Sequence, residues 1–146
     1  KLGTLVVVVL KARNLPNPGL YKQSPYILAR LGGGGRRTKA DVKGGQHPVW
    51  DEDLHFEIYP QDRSEPRVLR LTCFIAGKGK LDESIGEGEL AVEDVLKNGE
   101  FDGWIPLSHN GTQRGEVYIE LTFFLNATLG RRPSKLSPAE RLYRPS

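Results

Sequence analysis

The sequence predicts an all-β fold, an eight-stranded antiparallel β-sandwich, and three observations carry that expectation. Apolar and polar residues alternate with a period of two over residues 50–58 and again over 115–124, the mark of half-buried strands. Clusters of Gly, Pro, Asn and Ser at 14–19, 32–35, 44–48 and 110–111 cut the chain into strand-length pieces. Helical periodicity is almost absent, so the strands must pack against one another.

The element at 50–58 sets the frame. Trp50, Glu52, Leu54, Phe56 and Ile58 share one face, and Asp51, Asp53, His55 and Glu57 the other. Gly44, Gly45 and Pro48 prevent a helix upstream, so the strand is entered through a fixed turn with the Trp50 indole as its first anchor. Residues 3–12 are β-branched and nearly all apolar, which predicts a central strand covered on both faces. A loop through Ser24-Pro25-Tyr26 leads to a second strand at 27–31. The glycines at 32–35 with Arg36-Arg37-Thr38-Lys39 lack the Gly-Lys-Ser/Thr ending of a phosphate-binding loop and read as a hairpin turn. Further strands are expected at 67–75 and 85–92, joined by a long tip at 76–83. One or two helical turns at 92–97 end on Asn98-Gly99. A short strand follows at 104–107, where Pro106 implies an edge or bulge, and 115–124 is the last strand. Past about residue 126 the pattern stops. The expected division is a folded domain over 1–126 and a basic, Pro- and Ser-rich linker or tail over 127–146.

A chain of 146 residues can bury a core without staples, and the single cysteine, Cys73, lies in an apolar run as a buried small hydrophobe. That usage suits a reducing, cytoplasmic setting. Charge is polarised: residues 1–43 carry +8, residues 44–130 carry −9 and residues 131–146 carry +4. Such asymmetry suits one face for an anionic partner. Nucleic acid is disfavoured, since the basic segment offers only Tyr21 and Tyr26 for stacking. His47, His55 and His109 have no spacing that forms a metal site or a nucleophile–base pair, so no enzyme and no cofactor are expected.

Leu15-Pro16, Ser24-Pro25-Tyr26, the run from His47 to Glu52, Ile85-Gly86 and Gly115-Glu116-Val117-Tyr118-Ile119-Glu120-Leu121 together resemble a C2 domain over residues 1 to about 125. The first and last strands resemble the arrangement called type II topology. Within that family the Gly-Gly-Gln-His-Pro-Val-Trp-Asp-Glu run and the basic tail look most like the N-terminal C2 domain of fungal ingression proteins, which act in cytokinesis. Calcium-binding members use about five loop aspartates, because a hard cation needs many oxygen ligands at close range. On the family's pattern those positions fall here on Ser24, Ile75 and Gly77, and only Glu83 keeps a carboxylate. The resemblance therefore implies a degenerate calcium site and no functional metal.

The loops offer something else. Leu20, Tyr21 and Lys22 on the first, with Lys78, Lys80 and Leu81 on the third, make apolar tips flanked by ammonium groups, suited to anionic lipid. A second candidate, by the same resemblance, is a basic sheet face for phosphoinositide headgroups, Tyr26, Arg30, Arg37 and Lys39, in which Leu28 departs from the family's pattern and removes one cation. Against both stands the plain reading of solvated surface residues. Two functions follow from the resemblance: a calcium-independent module that docks on anionic phospholipid membrane at the division site, peripheral on the plasma membrane, or a protein-interaction scaffold. The scaffold would recruit partners such as a chitin synthase or SH3-containing ring components.

Overall fold

The computed structural model describes residues 1–17, 19, 21–61, 65–125 and 136–142. Eight strands run β1 (Gly3–Arg13), β2 (Pro25–Leu31), β3 (Gly34–Arg37), β4 (Val49–Ile58), β5 (Val68–Ile75), β6 (Glu83–Ala91), β7 (Glu100–His109) and β8 (Thr112–Leu125). Two short helices, α1 (Glu93–Asn98) and α2 (Pro138–Leu142), complete the described elements. Spatial order is β3-β2-β5-β6-β7-β8-β1-β4, antiparallel throughout. The link between β6 and β7 is one bridge, Glu87 to Ser108, so the strands form two four-stranded layers joined along one side. The first and last strands lie side by side in one layer, as type II topology requires.

Alternation builds the core. Leu5, Val7 and Val9 of β1 point inward to meet Ile27 and Ala29 of β2, Leu71 and Cys73 of β5, and Leu54 and Phe56 of β4. The other side of β1 is buried too: Val6, Val8 and Leu10 form a second apolar cluster with Tyr118, against which Trp104, Phe124 and Leu136 pack. The unbroken apolar run of this strand is thus accounted for.

The β4 entry is built as its sequence implies. Trp50 Nε1 donates to the Pro25 carbonyl at 3.0 Å, tying the two layers together. Asp41 accepts the Val49 N–H at 2.9 Å, and Gly44 packs so closely on Asp41 and Pro48 that no Cβ fits there. Trp50 and Asp51 stand opposite the single residue Leu10, a bulge in which Asp51 takes φ 52°. α1 ends on Gly99 in the left-handed conformation, φ 91°, as Asn98-Gly99 foretells.

Two boundaries differ. The strand expected at 104–107 runs from Glu100 to His109, held by continuous pairing with β8, and its register shifts between Pro106 and Ser108. Within the stretch expected to be an extended linker, Pro138–Leu142 is instead a helical turn that rests on β1 and β4.

Candidate functional site

Three connections meet at one end of the sandwich. Ala76 N–H donates to the Ser24 carbonyl and Gly45 N–H to that of Gln23, both at 3.0 Å. The Ser24 hydroxyl accepts the Lys43 N–H at 3.1 Å. At this position, where the resemblance looks for a calcium ligand, the side chain therefore fastens one loop to another.

The loop at 76–82 is organised by Asp82. One carboxylate oxygen accepts the Gly77 N–H at 2.9 Å and the other the Tyr26 hydroxyl at 2.5 Å. The bond from Gly77, then that from Tyr26, holds the Asp82 carboxyl below its ordinary range. Gly77 is folded under the loop: a Cβ there would fall on the Lys80 carbonyl oxygen and 2.7 Å from that of Leu81. A side chain, and so a carboxylate, could be presented from this position only if the loop backbone moved. The same fold turns Lys78 and Lys80 outward and leaves Leu81 92% exposed. Tyr21, on the first loop, is 86% exposed, with Lys22 exposed beside it. Leu20 lies outside the described residues.

Ile75 pairs with Pro25 on one side and Glu83 on the other, within the sheet. Among the described residues no three His, Cys, Asp or Glu side chains come together in a way that could hold a metal ion.

The sheet-face candidates lie on β2, on β3 and, for Lys39, two residues beyond β3. Arg37 lies opposite Leu28, and its guanidinium sits 3.7 Å over the Tyr26 ring. Tyr26 also stacks on Phe74, with centroids 5.5 Å apart. The resemblance makes Tyr26 a contact residue on the open face, yet it is 7% exposed, so its ring is a platform for Arg37. Burial raises the Tyr26 hydroxyl pKa, and its bond to Asp82 raises it further. Arg30 and Lys39 are exposed, and the Lys39 N–H donates to the Glu52 carboxylate at 2.9 Å. A chain of contacts thus joins the two candidates, from Lys78–Leu81 through Asp82 and Tyr26 to Arg37. Nothing in the local sequence marks Asp82 for this role. Its partner Tyr26 lies 56 residues away, and no local pattern reports a pair so distant.

With this geometry in view, the comparisons with known proteins are specific. The C2 domain sequence profile matches residues 3–107. This chain belongs to the C2 domain family. It is 36% identical over 123 residues to the ingression protein fic1 of Schizosaccharomyces pombe, covering 84% of this chain and 44% of that protein. C2-DOMAIN ABA-RELATED 11 of Arabidopsis thaliana is 27% identical over 95 residues, 65% of this chain and 54% of the relative. The chain spans about half the length of these two curated relatives. Among solved structures, a C2 domain of plant extended synaptotagmin 1 superposes with a TM-score of 0.72 at 20% identity, over 85% of this chain and 95% of that one. The paired C2 domains of extended synaptotagmin 2 give 0.72 at 20%, over 84% and 41%. At such identities the structural likeness speaks for the fold alone. Cytosolic phospholipase A2 delta of mouse matches over 8% of its length, 48% of this chain.

Proposed function

We propose that this C2 domain docks on anionic membrane without calcium, and that it does so at the division site in support of ingression and septum synthesis during cytokinesis. The observation that carries the reading is the Asp82-held loop. Gly77 is packed against its own loop backbone where a ligand carboxylate would be needed, while Lys78, Lys80 and Leu81 are turned to solvent. A hard cation finds too few oxygens there, whereas an anionic surface meets two ammonium groups and an apolar tip. Arg37, presented on the Tyr26 platform, with Arg30 and Lys39 extends the basic surface onto the sheet. Likeness to the fission yeast ingression protein supports the cytokinetic part of this reading.

The test is co-sedimentation with neutral, phosphatidylserine-rich and phosphoinositide-rich vesicles, in chelator and in calcium, across a salt series. Binding to anionic vesicles in chelator that weakens with salt is expected. Charge reversal at Lys78 and Lys80, compared with reversal at Arg37 and Lys39, assigns the contact to the loop or to the sheet. A requirement for calcium, or equal binding to neutral vesicles, would overturn the proposal.

One observation favours a second reading, a scaffold for protein partners such as a chitin synthase or SH3-containing ring components. The outward side of β1 carries the apolar cluster of Val6, Val8 and Leu10, covered by Trp104, Phe124 and Leu136, so displacing the Leu136 segment would open an apolar surface to a partner. Absence of binding to every vesicle would move the weight to it.

A further inference from the structure

The outward side of the β7-β8-β1-β4 layer has an unusual composition. Val6, Val8, Leu10 and Tyr118 are buried there by 94% or more. Acidic residues border them: Asp53 of β4 and Glu120 of β8 flank Val8, and Asp102 of β7 lies across from Glu120. An apolar floor with an acidic margin suits a ligand that is apolar on one side and basic on the other.

A segment of this chain already sits there. Leu136 packs against the apolar cluster, and Arg141 donates through Nη2 to both carboxylate oxygens of Asp51 at 2.7 Å, with each side chain only 24% exposed. Lys11 Nζ donates to the Glu140 carbonyl at 2.5 Å. The segment carries a reciprocal cap, Glu140 N–H to the Ser137 hydroxyl at 3.2 Å and Ser137 N–H to the Glu140 carboxylate at 3.4 Å. Its fit is nonetheless incomplete. A hollow of 370 Å³ remains between Leu136, Ala139 and Glu140 on one side and Lys11, Trp104 and Tyr118 on the other. Arg141 Nε is buried without an acceptor, an unmade hydrogen bond that weakens the segment's own hold on the face.

We propose that this face is a receptor site for a basic amphipathic segment of a partner protein, one in which an apolar residue is followed five positions later by arginine, and that residues 136–142 are its resident intramolecular competitor. Apolar burial supplies the attraction, and the charge-assisted contact of Arg141 Nη2 with both Asp51 oxygens sets register and direction. The unfilled hollow leaves room for a larger side chain than Leu136. The site lies on the opposite layer from the basic sheet face and requires no lipid, so its fate is separate from that of the membrane reading.

The probe is a fluorescent peptide of residues 130–146, offered without lipid to the full chain in three forms: wild type, Leu136→Asp/Arg141→Gln, and that double variant with Asp51→Asn. Asparagine tolerates the left-handed backbone at position 51 and removes only the charge. The double variant is expected to bind the peptide about tenfold more tightly than wild type, because its own segment no longer competes, and Asp51→Asn is expected to return about tenfold of that gain. Thermal melting checks each fold, and Arg141→Gln alone serves if the double variant melts early. Equal binding by wild type and opened chains, no binding by the opened chain, or indifference to Asp51→Asn would overturn the proposal.

Discussion

Leu81 offers the sharpest division between two ways of meeting a membrane. It is 92% exposed, so Leu81→Ser removes almost no packing and should leave the thermal midpoint unchanged. If the loop tip enters the interface, the side chain leaves water on binding. Full burial of a leucine is worth about 1.5–3 kcal/mol, and half-insertion at headgroup depth about 1 kcal/mol, which is roughly fivefold in partition coefficient. The lysines act differently: each contributes on the order of 1 kcal/mol near an anionic surface, a similar factor at low salt, but through a field that decays over a Debye length of about 8 Å at physiological ionic strength. Co-sedimentation of wild type, Leu81→Ser and Lys78→Glu/Lys80→Glu on phosphatidylserine vesicles in chelator therefore separates the two. The loss from Leu81→Ser should be constant across the salt series, whereas that from the lysine reversals should shrink as salt rises. If Leu81→Ser binds like wild type at every salt concentration, the tip does not insert and apolar contact drops out of the reasoning.

Other consequences follow from single contacts. Gly77→Asp would drive a Cβ onto the Lys80 carbonyl, so it should lower the thermal midpoint without creating calcium affinity, as calorimetric titration with the ion would show. Trp50→Phe removes the indole N–H from the Pro25 carbonyl at the β4 entry and leaves a gap, and urea unfolding should report a loss of about 2–4 kcal/mol. Burial pushes the Cys73 thiol up to about 12, so the folded chain keeps a proton that the unfolded chain releases nearer 8.5. Stability from this group is complete below pH 8.5 and is lost as pH rises toward 12; Cys73→Ala should flatten that part of the alkaline unfolding profile. In the native protein at pH 8 the thiol should resist alkylation until denaturant unfolds the domain.

The strands that bury one face were legible because alternation is local. Trp50 to Ile58 shows the period of two directly, and the all-apolar run of β1 announces burial on both sides. The start of β7 was not legible, since Glu100-Phe101-Asp102-Gly103 has no strand pattern of its own and takes its conformation from pairing with β8. α2 was hidden by its composition: Pro, Ser and Arg suggest an extended tail. Ser137 and Glu140 nonetheless stand three residues apart as a capping pair, and Arg141 meets Asp51 across 90 residues. The candidate site residues could be named from the sequence, but not their arrangement. Alternation puts Tyr26 and Arg30 on one face, yet only the tertiary contacts reveal that Arg37 covers the Tyr26 ring and that Asp82 holds its hydroxyl.

The two proposed surfaces also constrain each other through charge. Basic side chains at Arg30, Arg37, Lys39, Lys78 and Lys80 lie on β2, on β3 and just after it, and on the 76–82 loop, while Asp51, Asp53, Asp102 and Glu120, offset in part by Lys11 and Arg13, lie on the outward side of the other layer. Near an anionic bilayer this distribution applies a torque that draws the first group inward and drives the second away. The acidic groove would then face the cytoplasm, accessible to a basic segment of a partner while the basic face is engaged. Arg141 on Asp51 offsets part of that acidity, so releasing residues 136–142 makes the groove more acidic and sharpens the orientation. Membrane engagement should therefore favour the open groove modestly, and groove occupation by a basic peptide should in turn weaken the torque, a reciprocity that any coupling of two sites on one molecule must obey.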